Sequence, residues 1–594
     1  MSKKQKTIYY IILFILTLIY WFFNLTPINL RDRGFFIRLL ILSILIIIPF
    51  LISPSKKKVK NDGNNEQEKD TKDPFDFKNF KNIQIKITSL KDIFKHGSGL
   101  IWIPLILAVL FLILNLSSAK IFRSKKYAKL LTVEEGDFQG NIAEIEFTDI
   151  PTVDKQTASR LGSKKMGEIA ELVSQFEVDP DYVQINYQGR PVRVTPLRYG
   201  DIIKWFNNRS EGLPRLIRVD MIDSSVELQD LPSGMKYSNS EPLFRNIKRH
   251  LRFRYPFDII DDPIMEIDED GIPYWIAPVL KPTIGWFGGL DVKEVILCNA
   301  LTGETVKHKI GEIPAWIDRV YSSDLILKHI DYYGKYQSGF FNSFIGQKGV
   351  LRATDLYNYL AIDDDVYLYT GITSVSTEDN SNLGFVLVNL RTKQTSFYAI
   401  PSADESSAMR SAEGAVQEKG YAATVPILLN INGRPSYCMA LKDQAQLVKM
   451  YALVDAQNYQ TTGVGASIKE AMKNYEISQS NRLINEPDAD EEQLVDSSFQ
   501  GKITDLSSVT IDGNTFYYFM LDNGKAEDSA AEKYYENQIF SAPVSLSAQL
   551  AFLEPGDQVK IDFYAPQITE DSEQNVSDLS GHKAIEIKEI EIVK

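Results

Sequence analysis

Four stretches of the chain share one plan of strand, tight turn, strand, spacer, strand, turn, strand, and this repetition constrains the fold more than any other feature. The first reads YVQINYQGRPVRVTPLRYG…PRLIRVDMIDSSVEL from Tyr182 and turns at Gln188-Gly189-Arg190-Pro191. The second, IMEIDEDGIPYWIAPVLK…KEVILCNALTGETVKH, turns at Asp270-Gly271-Ile272-Pro273. In the third, YNYLAIDDDVYLYTGITSV…GFVLVNLRTKQTSFY, the residues Asp363, Asp364 and Asp365 replace the glycine turn. The fourth, VPILLNINGRPSYCMALKD…VKMYALVDAQNYQTTG, turns at Asn432-Gly433-Arg434-Pro435. Glycine supplies positive φ in such turns and the Asn or Asp side chain bonds the local backbone, so each nucleates a hairpin.

Alternation in IRVDM, VILCN and FVLVN places a row of apolar side chains on one sheet face, which must be covered. Helical stretches at 164–176, 242–252, 313–330, 403–418 and 467–475 can cover it, which predicts an α+β body over 131–475 with repeats at about 164–230, 242–309, 313–398 and 403–475. The helix-plus-hairpin unit resembles the PepSY type of repeat of secreted and membrane-bound bacterial proteins. Asn299-Ala300-Leu301-Thr302-Gly303-Glu304 approaches that family's D-A-x-T-G-E motif. Phrases such as RVTPLRYGDIIKWFNNRSEG, WIDRVY, YLYTGITSV and MRSAEG resemble an uncharacterised family of Gram-positive membrane proteins, some labelled cell-shape-determining. That resemblance covers about residues 1–475 and implies a membrane-anchored envelope protein.

Ahead of the body, residues 8–25 carry no charge, 35–53 carry only Arg38, and 99–117 carry none, so the sequence predicts three transmembrane helices. A polar loop at 54–98 is too poor in apolar residues to fold alone. With the N-terminus inside, ten Lys and Arg flank the cytoplasmic ends and seven the outer ends, which favours a body outside the cell. The basic run IFRSKKYAK after the third helix argues the other way and keeps a cytoplasmic body open. Past 475, an acidic linker at 476–498 leads to five short strand patterns over 499–594, which read as a small OB-like β-barrel.

Charge excludes one partner class. Residues 1–130 hold 22 Lys and Arg against 8 Asp and Glu, so of the chain's net −13 the remainder carries −27, a poor fit to nucleic acid. Two cysteines, Cys298 and Cys438, cannot build a disulfide framework, and each lies in an apolar strand. The sequence has no P-loop, G-x-G-x-x-G, H-E-x-x-H or G-x-S-x-G motif, so no cofactor is implied and no catalytic residue is assigned.

Three groups remain as candidate binding residues. Asp268, Asp270, Asp363, Asp364 and Asp365 could offer oxygens to a hard cation, against a plain reading as solvated turns. Arg245, Lys248, Arg249 and Arg252 fall at i, i+3, i+4 and i+7 of a helix and could meet an anionic partner, against pairing with the acidic repeats themselves. Trp275, Trp286, Tyr367 and Tyr369 could form a recognition surface, although aromatics also pack well in strands.

These readings converge on a non-catalytic binding or scaffolding protein of the bacterial envelope. Its expected partners are the lipid bilayer and other envelope proteins or a wall polymer, with a homo-oligomer left open. A regulator of a peptidase or wall enzyme, a wall-active enzyme, and a cytoplasm-facing member of an assembly are the alternatives.

Overall fold

The computed structural model describes residues 3–51, 102–144, 150–375, 381–485, 494–511, 514–526, 539–544, 546–547, 550, 552–566 and 585–593. The loop expected at 54–98 and the middle of the 476–498 linker lie outside the described residues. The chain divides into two units, Met1–Tyr475 and Glu476–Lys594.

Four helices open the first unit: α1 (Lys3–Asn24), α2 (Arg33–Leu51), α3 (Trp102–Ser117) and α4 (Lys120–Ala128). Among the described residues one helix, Lys4–Asn24, is long and apolar enough to cross a membrane. The expectation of three spans is thereby corrected. The sixteen residues of α3 rise roughly 24 Å, short of a hydrocarbon core of about 30 Å. It passes only if joined to α4 across a 43° bend. Helix α2 contains Pro49, and Phe36 on it is buried against Phe111 and Phe287.

Each sequence repeat supplies four antiparallel strands of a five-stranded sheet, whose fifth strand is the short Phe176–Val178, Ile259–Ile260, Val133–Glu135 or Ala422–Ala423 in sheets 1 to 4, the third of these pairing in parallel. Sheet 1 is β1 (Val183–Tyr187), β2 (Arg190–Tyr199), β3 (Leu213–Asp220) and β4 (Val226–Met235), preceded by helix α5 (Lys155–Gly167). After α6 (Ile247–Arg254), sheet 2 is β5 (Ile264–Ile267), β6 (Pro273–Ile284), β7 (Gly288–Asn299) and β8 (Thr305–Lys309). Then α7 (Ser323–Tyr336) precedes sheet 3: β9 (Leu351–Ile362), β10 (Asp365–Ser374), β11 (Gly384–Asn389) and β12 (Thr395–Tyr398). Finally α8 (Glu405–Gly414) precedes sheet 4: β13 (Ile427–Ile431), β14 (Arg434–Lys442), β15 (Val448–Asp455) and β16 (Thr462–Gly465), which α9 (Ile468–Asn485) follows. Neighbouring strands in sequence pair in every sheet. Two of the opening turns put both central residues at positive φ, Gln188 with Gly189 and Asn432 with Gly433, as a two-residue hairpin loop requires.

The helices cover only part of the sheet faces, because the sheets also cover one another. Along β7, Ile296 and Cys298 enter a core shared with sheet 1, while Val295 and Leu297 enter one shared with α7 and sheet 3. Along β10 and β11, Val366, Leu368, Val386 and Val388 join that second core, while Tyr369, Phe385 and Leu387 join a third with sheet 4 and α8. The period of two therefore assigns alternate residues to opposite cores. On sheet 4 the outer face, with Cys438 and Leu453, packs on Ala471 and Tyr475 of α9. Helix α7 starts at Ser323 rather than 313, because Val320 and Tyr321 N–H both donate to the Leu390 carbonyl and hold residues 317–321 as a strap between sheets.

In the second unit, β17 (Leu494–Ile511), β18 (Asn514–Ala526), β19 (Ile539–Pro543), β20 (Gln558–Pro566) and β21 (Ile585–Ile592) pair in the order β17-β18-β19-β21-β20 and close on themselves. Phe499, Phe519, Phe540 and Phe563 are buried inside.

Candidate binding site where the four sheets meet

The first strands of the sheets converge: β1 lies against β5 and β9, and β9 against β13. First strands are short or bulged, and their side chains do not fill the junction, leaving a cavity of about 530 Å³. Tyr182 and Val183 enter it from the start of β1, Ile264 and Met265 from β5, Tyr357, Asn358 and Tyr359 from β9, and Val425 from the approach to β13. Arg193 of β2, Trp275 of β6, Arg319 of the strap and Asp154 at the head of α5 complete the wall. A few hundred Å³ suits a small-molecule ligand.

Charges on this wall sort into satisfied pairs and two open cations. Asp154 caps α5 through Thr157 N–H at 2.9 Å and binds Lys442 Nζ at 2.7 Å. Lys442 is buried, and this partner makes its burial tolerable. At the rim Lys155 pairs with Asp181 at 3.1 Å. Arg193 is 7% exposed, yet among the described residues it forms no ion pair. Its Nε donates to the Val153 carbonyl at 2.9 Å and its Nη2 to Gln184 Oε1 at 3.3 Å. Burial pulls the Arg193 pKa down to about 10, opposed by the charge of Asp154 and helped by that of Arg319. Arg319 Nη2 donates to Tyr359 Oη at 2.8 Å, and its guanidinium lies 4.5 Å from that ring's centroid. Its Nε is buried without a partner.

Behind the cavity sits a pair of carboxyls. Glu266 is fully buried and accepts the Asp318 N–H at 2.9 Å and the Arg319 N–H at 3.0 Å. Asp318 Oδ2 accepts the Asn186 N–H at 2.5 Å. Burial pushes both acids up, and the charge of Glu266 pushes Asp318 further. Together they tie β1, β5 and the strap at the axis, and Asn186 Nδ2 reaches the Asp363 carbonyl of sheet 3 at 2.8 Å.

The residues singled out from sequence scatter. Asp268 and Asp270 lie in the β5–β6 turn, where Asp268 Oδ1 accepts the N–H groups of Asp270 and Ile272. Asp363, Asp364 and Asp365 form the β9–β10 turn, with Asp365 bound to Arg391 and to Asn389 Nδ2. Among the described residues no group of three or more His, Cys, Asp or Glu is placed to hold a metal.

Lys248, Arg249 and Arg252 of α6, and Arg245 just ahead of the helix, are engaged by the chain itself. Arg249 donates to the carbonyls of Phe22, Pro242 and Leu243, and Arg252 to those of Leu25, Tyr255 and Asp258. Arg245 donates to the Arg209 carbonyl, and Lys248 pairs with Asp262.

Of the aromatics, Trp275 alone reaches the cavity. Its Nε1 donates to the Tyr237 carbonyl at 2.8 Å. Trp286 donates to the Leu30 carbonyl beside α2, Tyr369 is buried with its hydroxyl on the Pro426 carbonyl, and Tyr367 packs at the edge of the third core. Sequence reasoning missed Arg193, Arg319, Tyr182 and Asp154. Its one available signal was the charged residue inside the apolar run V-R-V of β2.

No family model and no curated protein matches this chain. The PepSY resemblance accordingly stays an expectation, and the comparisons lend no support to an OB-type label for the second unit. Among solved structures, a protein of unknown function from Dyadobacter fermentans covers 59% of this chain and 93% of its own at 10% identity, with a TM-score of 0.16. A Synechocystis apocarotenoid oxygenase mutant covers 72% and 67% at 9% identity, with a TM-score of 0.13. A Trypanosoma rangeli sialidase covers 67% and 52% at 10% identity, also with a TM-score of 0.13.

Proposed function

We propose that the protein is a membrane-anchored binding protein of the cell envelope, held by α1 and taking a ligand where its four sheets meet. The observation that carries this reading is the cavity of about 530 Å³ walled by aromatics and buried arginine, at a place where four packed sheets would otherwise exclude all space.

Anchoring is supported by the seam below α1. Arg249 and Arg252 donate to the carbonyls of Phe22 and Leu25 at the C-terminal end of α1, and the Ile28 N–H donates to Pro256 O at 2.7 Å. A cleaved leader would strip two buried guanidinium groups of those acceptors, which favours a retained anchor over a signal sequence. The body sits at the end of α1 remote from Lys4, so the two lie on opposite membrane faces in this reading, with the body outside.

The test is impermeant maleimide labelling of intact cells carrying Lys4→Cys or Glu418→Cys in the full chain. Both native cysteines are buried and stay silent. Labelling at 418 and not at 4, with carbonate-resistant membrane retention, is expected. Labelling at 4 alone places the body in the cytoplasm, and carbonate release removes the anchor.

A further inference from the structure

Arg193 and Arg319 line the same cavity wall, and the charge of Arg319 reaches Arg193. Arg193 is buried and Arg319 half-buried, and a guanidinium withdrawn from water calls for a counter-charge. Asp154 acts on Arg193 and Glu266 meets the charge of Arg319 only at a distance, and neither arginine forms an ion pair among the described residues. Asp154 and Asp181 are taken by Lys442 and Lys155. Glu266 spends its oxygens on backbone N–H groups of the strap. Asp179 accepts the Asp181 N–H and forms no ion pair among the described residues. Nη1 of Arg193 and Nη1 of Arg319 donate to nothing among the described residues, while Nε and Nη2 hold the plane of Arg193 and Nη2 alone ties Arg319 to Tyr359 and Ser323.

Preorganised, unpaired guanidinium edges are the fork that carboxylate and phosphate oxygens fit. Around them stand ring faces. Trp275, Tyr357 and Tyr359 line the cavity, with the two tyrosines edge to face at 5.9 Å. Such rings offer large contact area to a ring or sugar face at low entropy cost. We infer that the cavity binds a small organic anion, a carboxylate or phosphate on a ring-shaped body, with Arg193 and Arg319 sharing its charge and Trp275, Tyr357 and Tyr359 its ring. This deepens the reading of the cavity as a binding site and rests on it.

The test uses the full chain in detergent and two matched pairs of probes, glucuronate against glucose and benzoate against benzyl alcohol, with glucose 6-phosphate as the phosphate arm. Binding is read by titration calorimetry and by thermal shift. At least one acid binds at millimolar concentration while its neutral twin does not. Arg193→Gln or Arg319→Gln then weakens it about tenfold or more, as the loss of a charge-assisted bond implies. Arg193→Lys keeps the charge, protects the fold if the glutamine variant fails, and still weakens binding because the fork is gone. Glucose 6-phosphate against glucuronate tells which oxyanion is preferred. Equal binding of acids and neutral twins overturns the anion inference and leaves the binding site standing. Binding of none of the five overturns both.

Discussion

Arg252→Met removes the central fastener between the body and α1 while keeping the length of the side chain. In the native protein Arg252 is buried, and its guanidinium donates to the Leu25 carbonyl at 2.7 Å, the Asp258 carbonyl at 2.6 Å and the Tyr255 carbonyl at 3.3 Å. The Leu25 bond lies just past the C-terminal end of α1, where a cation also meets the helix dipole favourably. Each of the two short charge-assisted bonds contributes roughly 1.5–3 kcal/mol, and the variant is spared the desolvation of a guanidinium, so the net loss is about 3 kcal/mol.

Lys248→Met is the control, since the Lys248–Asp262 pair has side chains 45% and 85% exposed and contributes well under about 1 kcal/mol. Unfolding of the full chain in detergent, followed by tryptophan fluorescence, reads the difference. Trypsin cleavage at Arg31 and Arg33 reports whether the seam opens. If Arg252→Met is as stable and as protease-resistant as the native chain, the α6 basic face is not a seam. The sequence-based reading of it as a patch for an anionic partner would then regain its standing.

Replacing Val295 and Ile296 by Ala one at a time destabilises in both cases by about 2 kcal/mol or more, because the two neighbours enter different cores; a neutral result at either refutes the face-to-face stacking of the sheets. Glu266 and Asp318 hold their protons in the fold at pH values where the unfolded chain has lost them. Their stabilising effect is therefore complete in acid, below the ordinary carboxylate range, and is lost as pH rises through neutrality. Asp318→Asn flattens that decline in a melting-temperature series across pH, and a native chain that gains stability from pH 5 to pH 8 through these groups contradicts it. Cys298 and Cys438 are buried with thiols pushed up to about 12 by desolvation, so a chromogenic disulfide reagent titrates no thiol in the native chain and two after denaturation.

How far the sequence can be read depends on the distance over which a signal acts. Gln188-Gly189 and Asn432-Gly433 announce their hairpins because turn geometry is settled within four residues. The alternation of VILCN announces a strand for the same reason. The apolar run of α1 likewise needs nothing beyond its own twenty residues to be legible as a candidate membrane segment. What alternation does not say is whether the second face of a strand meets water, a helix or another sheet. Val295 and Ile296 look the same in a string, and only the stacking of sheets 1, 2 and 3 sends them to separate cores. The basic face of α6 was visible as periodicity, but its acceptors, Phe22 and Leu25, lie more than two hundred residues away. Arg193 and Arg319, separated by well over a hundred residues, become one site only because the first strands converge. Local chemistry therefore determined the hairpins, the strands and the apolar N-terminal helix, whereas tertiary packing alone decided which charges were left facing the cavity without an ion pair, since pairing and desolvation are properties of neighbours in space.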